Sequence, residues 1–70
     1  MTNTALLKEW IKKSGLKQEH IAEKLHLSSY GFARKRDNLS TFNAAEIDVL
    51  CDLLGIHSLE DRFAIFFAKD

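Results

Sequence analysis

The residues best equipped for chemistry lie between positions 28 and 36. Ser28, Ser29, Tyr30, Arg34, Lys35 and Arg36 gather hydroxyl, phenol, guanidinium and ammonium groups on one short stretch. The pattern places no paired carboxylates and no Ser-His-Asp arrangement, so these groups suit recognition rather than catalysis. The guanidinium of Arg34 matches the two major-groove acceptors of a guanine. Charge is distributed unevenly around this cluster. Residues 1–36 hold eight Lys and Arg against three Glu, residues 37–70 hold two against seven acids, and the formal net charge is zero. A basic half suits an anionic partner, nucleic acid being the commonest. The other reading is that the two halves simply attract each other. His20 and His26 are six apart, and Cys51 and His57 straddle Gly55. Neither pair has a metal-ligand spacing such as i, i+4 or C-x₂-C, so no metal or other cofactor is expected.

Helices must position these groups, because no segment alternates with period two for long enough to make a strand. Leu6, Leu7, Trp10 and Ile11 repeat at helical spacing and predict a first helix over residues 5–13, with Trp10 in the core. Thr2, Asn3 or Thr4 can cap its start, and Ser14-Gly15 ends it. A second helix over 18–25 turns Ile21, Ala22 and Leu25 inward. After a break at His26-Leu27-Ser28, Ser28 caps a third helix over about 29–37. Gly31 lies inside that helix at a cost of about 1 kcal/mol against Ala. Residues 37–43 read as a loop, anchored by Leu39 and Phe42. Asn43 with Glu46 three residues on is a capping-box start for a fourth helix, Ala44–Leu54, which Gly55 stops. Its apolar residues cover nearly every side, only Glu46, Asp48 and Asp52 wanting water, so it is the central helix. Ser58 with Asp61 opens a fifth helix over about 59–68.

The stretch from Gln18 to Asn38, QEHIAEKLHLSSYGFARKRDN, resembles the helix-turn-helix of the Cro and lambda-repressor family. Gln18 opens the second helix, and Ala22 is the small residue that lets two helices approach. The turn follows four residues on, and Phe32 fills the apolar slot of the recognition helix. The resemblance covers nearly the whole chain and is strongest to small phage-encoded Cro-like regulators. It implies an all-α, lambda repressor-like domain of five short helices spanning residues 1–70. It also implies a sequence-specific transcriptional regulator that lays its third helix in the major groove of double-stranded operator DNA. Ser28, Ser29, Tyr30, Ala33 and Arg34 occupy the positions that reach DNA in the family. Lys35 joins that DNA-binding set, and Lys17, Gln18 and Asn38 are expected at the phosphate backbone. Regulators of this kind can also act as anti-repressors, pairing with the phage's own repressor protein and masking its DNA-binding helix.

Three positions depart from the family pattern. His26 stands where the family has Gly in the turn, at a position that tends to be left-handed. Lys17 replaces the Ser or Thr that caps the second helix. Lys35 and Arg36 occupy slots where family members carry at least one apolar core residue, both within about 60° of Phe32 on a helical wheel. Either they run their stems out to solvent, or the helix frays after Arg34.

On the fifth helix, Leu59, Phe63 and Phe66 share one face, which is expected to seal the core. Ile65 points away from that face and Phe67 lies at its edge. These two residues are therefore expected to pair two copies into a homodimer, since one unit reads only one half-site. Hydrophobic residues make up 46% of the chain, enough for one core and too many for a disordered segment. No apolar run approaches the roughly 20 residues of a membrane span, and Met1–Leu7 lacks the plan of a secretion signal. The single Cys51 cannot form an internal disulfide, which suits the reducing cytosol of a bacterial host.

Overall fold

The computed structural model describes residues 1–68 and folds them into five helices, with no strand among the described residues. They are α1 (Thr4–Ser14), α2 (Gln18–Lys24), α3 (Ser29–Arg36), α4 (Ala44–Leu54) and α5 (Leu59–Phe66). Four of the five begin on a side-chain cap. Asn3 Oδ1 accepts from the Leu6 N–H at 3.1 Å, and Ser28 Oγ from the Gly31 N–H at 2.9 Å. Asn43 Oδ1 accepts from the Glu46 N–H at 2.8 Å, while the Glu46 carboxylate accepts from the Asn43 N–H at 2.9 Å, a complete capping box. Ser58 Oγ accepts from the Asp61 N–H at 3.1 Å. Each such cap stabilises its helix by about 1 kcal/mol. Lys17 gives α2 no side-chain cap, as the sequence predicts. Gly15 and Gly55 end α1 and α4 in the left-handed conformation, at φ 72° and 75°.

The core gathers one face from every helix: Leu7 and Ile11, Ile21 and Ala22, Phe32, Leu50, Cys51 and Leu54, then Ile65 and Phe66. Trp10 packs against it half-buried. An aromatic chain ties α3 to α5 through the loop. Phe32 and Phe42 lie 6.1 Å apart, and Phe42 meets the edge of Phe66 at 5.7 Å. The N-terminal residues close the far side. The Asn3 N–H donates to the Ile65 carbonyl at 2.6 Å, and the Thr4 hydroxyl donates to the Arg36 carbonyl at 2.8 Å. The radius of gyration, 10.8 Å, is that of one packed unit of this length.

Two expectations need correction. α3 does not fray after Arg34; it continues to Arg36 and is capped at Asp37. Lys35 lies against α4, its ammonium donating to both oxygens of Glu46 at 2.6 and 2.8 Å. Glu46 is therefore buried, not solvated. Burial pushes its carboxyl up, but the Lys35 ammonium and the Asn43 N–H outweigh burial and hold it below the usual carboxylate range. The second correction concerns α5. Its buried residues are Ile65, fully enclosed, and Phe66, whereas Leu59 and Phe63 are 81% and 62% exposed. The helix is rotated because Arg62, Ile65 and Phe66, not Leu59, Phe63 and Phe66, form the inward stripe. Arg62 lays its stem inward and donates to Asp48 of α4 at 2.9 Å. Ile65 is thus unavailable for pairing two copies, and Phe67 is half-exposed beside Phe63, ring centroids 5.5 Å apart.

Candidate functional site

α2 and α3 pack against each other after a short connection, Leu25–Ser28. The turn closes on the end of α2: the Leu27 N–H donates to the Ala22 carbonyl at 2.9 Å and the His26 N–H to the Glu23 carbonyl at 3.0 Å. His26 takes the left-handed conformation at φ 59°, the region in which the turn position was expected to lie. Ala22 is buried at the helix contact, where a larger side chain would hold α3 away. Phe32 is buried behind α3 and braces it. Gly31 has a local reason: a Cβ there would meet the capping Ser28 Oγ at 3.1 Å, closer than an ordinary contact. Glycine leaves that cap undisturbed.

The outer surface of α3 presents Ser28, Ser29 and Tyr30, the last 72% exposed, with Ala33 half-buried beside them. Arg34 extends along this surface with its guanidinium 6.0 Å from the Tyr30 ring centroid, a cation–π distance. Its Nε donates to Ser40 Oγ and its Nη2 to the Leu39 carbonyl, both at 3.3 Å. These contacts leave both Nη1 protons and one Nη2 proton, the terminal fork that a bidentate acceptor needs. Lys17 and Gln18 are exposed at the start of α2. Asn38 is exposed too, left-handed at φ 67°, with its Oδ1 accepting from the Thr2 N–H at 3.1 Å.

The structure therefore brings Gln18, Ser28, Ser29, Tyr30 and Arg34 to the outside of the α2–α3 pair. It does not bring Lys35 there: the Glu46 pair turns that ammonium inward. Arg36, which lay in the basic cluster but outside the expected DNA-binding set, has the most connected guanidinium. It donates twice to Asp37, at 2.8 Å each, and through Nη1 to Gln18 Oε1. The Asp37 hydrogen bonds raise the Arg36 pKa despite its burial, and the Arg36 guanidinium holds the Asp37 carboxyl below its usual range. The sequence hints at this only through the adjacency of a basic and an acidic residue at a helix end. Cys51 is fully buried in α4, and burial pushes its thiol up, away from the reactive thiolate. No helix of the described residues is long and apolar enough to cross a membrane. Compared with known proteins, the chain matches no family model, no curated protein and no solved structure.

Proposed function

We propose that this chain is a Cro-like helix-turn-helix transcription regulator that reads operator DNA with α3. The observation that carries this reading is the outer surface of α3: Ser29, Tyr30 and Arg34 project from a helix capped by Ser28 and braced by Ala22 and Phe32. In this mechanism α3 enters the major groove, and the free fork of Arg34 takes the O6 and N7 acceptors of a guanine. Tyr30 and Ser29 serve neighbouring bases or phosphates. Lys17, Gln18 and Asn38 fix the register on the backbone. Regulation follows from occupancy, the bound protein blocking polymerase or a competing repressor. Arg34→Ala is the test. It should weaken binding to the specific duplex by ~1–3 kcal/mol and relax the base preference at one position. Equal losses on specific and random duplex in a titration would make Arg34 a phosphate contact instead.

A second reading places the same surface against a phage repressor protein, whose DNA-binding helix it would mask. The observation favouring it is the low free charge of α3. Of its three cations, Lys35 and Arg36 are committed to Glu46 and Asp37, which leaves Arg34 alone. Exposed Tyr30 beside Arg34 pairs two of the residue types that dominate protein hot spots. A gel shift separates the two readings. The pure protein shifts its promoter duplex in the first, and only alters the shift made by the repressor in the second.

Self-association belongs to the proposal with its residues revised. Leu59 and Phe63 on the outer face of α5, with Phe67 just past its end, form the apolar stripe that a second copy can cover. Sedimentation at high micromolar concentration should show a dimer for the unmutated chain and a folded monomer for Leu59→Asp/Phe63→Asp. A monomeric unmutated chain at that concentration ends the dimer proposal.

A further inference from the structure

A cleft of about 400 Å³ opens between α1, the start of α2 and the end of α3, lined by Lys8, Ile11, Lys12, Gln18 and Arg36. Three of its five lining residues are cations. Lys8 and Lys12 stand one turn apart on α1 and are both exposed. Arg36 is mostly enclosed, its side chain 17% exposed. One acid offsets this charge: Asp37 holds Arg36 bidentately and lies 3.9 Å from the Lys8 ammonium. Lys12 makes no ion pair among the described residues.

We propose that this cleft seats a phosphate of the DNA backbone and so extends the DNA contact of α2 and α3 onto α1. The inference rests on the DNA-reading function above and assigns a new role to Lys8, Lys12 and Arg36. Gln18 is the directed donor. Its Oε1 is taken by the Arg36 guanidinium, so both Nε2 protons remain to donate into the cleft. Arg36 acts here as a positioning residue. Asp37 fixes the guanidinium, and the guanidinium fixes which end of the Gln18 carboxamide faces the ligand. Lys8 and Lys12 supply mobile charge on long stems, which suits a phosphate oxygen that needs neutralisation more than fixed geometry. The chemistry is donor-only toward the ligand, as an anion requires. Its place beside Gln18 makes it continuous with the α2–α3 surface, at the flank where a bound helix meets a strand of the duplex.

The test is a salt titration of duplex binding with three proteins. They are the unmutated chain, Lys8→Gln/Lys12→Gln, and Lys13→Gln as a control. Lys13 lies on the same helix but stacks on Trp10 at 5.9 Å, outside the cleft. Each phosphate contact contributes about 0.9 to the slope of log affinity against log salt, so the double variant should lose close to two units of slope. Between 50 and 200 mM salt its affinity should then fall about tenfold less than that of the unmutated chain. Lys13→Gln should leave the slope unchanged. If the unmutated chain binds duplex and the double variant keeps its slope, the phosphate seat is overturned and the DNA reading stands. Equal slope losses in the double variant and the Lys13 control likewise overturn it, because the effect is then general charge. If the unmutated chain binds no duplex even at low salt, both the seat and the DNA reading fall. Capture of a repressor protein weakened by the same two lysine substitutions would replace the phosphate with a protein carboxylate.

Discussion

Ile65→Asp is expected to unfold the domain, while Phe63→Asp on the same helix leaves it folded. Ile65 has no accessible surface, and its neighbours in the core are aliphatic and aromatic side chains. An aspartate there would be a carboxylate without a donor, which costs several kcal/mol whether it stays charged or takes up a proton. A chain of 70 residues has only roughly 4–10 kcal/mol in total to lose. The Ile65 carbonyl also anchors the N-terminal segment through the Asn3 N–H, so displacing α5 releases residues 1–3 as well. Phe63 has most of its surface in water and packs chiefly against Phe67. Its replacement removes a ring pair worth about 0.5–1.5 kcal/mol and buries nothing polar. Thermal melts followed by circular dichroism check both. A cooperative melt for Ile65→Asp within a few degrees of that for Phe63→Asp would mean that α5 buries its other face.

This contrast also marks where the sequence is a poor guide. Five of the eight residues of α5 are apolar, and they lie nearly all round it. A helical wheel cannot choose between two such faces; tertiary contacts choose, here the Arg62–Asp48 pair and the edge-on meeting of Phe66 with Phe42. The helix limits were far more legible. Asn3, Ser28, Asn43 and Ser58 cap by bonding to residues three positions on, and Gly15 and Gly55 stop helices through their own backbone. Both signals are local, so sequence carries them. The exposed part of the candidate site was legible for the same reason. With Phe32 inside, Tyr30, two positions away on the same short helix, must face out. The commitment of Lys35 was not legible. Its partner Glu46 lies 11 residues away across a loop, on a helix whose polar residues were expected in water.

Lys35→Met should destabilise the domain by about 3 kcal/mol, because it leaves the Glu46 carboxylate buried without its cation. Both groups are largely withdrawn from solvent, side-chain exposure being 19% for Lys35 and 11% for Glu46. Glu46→Gln removes the same ion pair but can keep the capping box, since an amide oxygen also accepts from the Asn43 N–H. It should therefore cost less than Glu46→Ala, which loses the pair and half of the box together. Lys35→Met/Glu46→Gln should recover much of the loss, for neither charge is then stranded. The dependence on pH has a definite sign. The carboxyl of Glu46 is held below its ordinary value in the folded chain. Its contribution is complete above the unfolded carboxyl's pKa, about 4.3, and is lost as pH falls through the depressed folded value. The difference in stability between the unmutated chain and Glu46→Gln should accordingly be largest near neutrality and shrink on acidification below about pH 4. Denaturant unfolding of both proteins at several pH values measures that difference directly. A gap that stays constant down to pH 2 would show that Glu46 is not charged against Lys35 in the folded state. Since the pair joins the last turn of α3 to the first turn of α4, loosening it should free the end of the helix that carries Arg34. If the proposed DNA reading holds, the double variant, restored in stability, should still bind duplex more weakly than the unmutated chain.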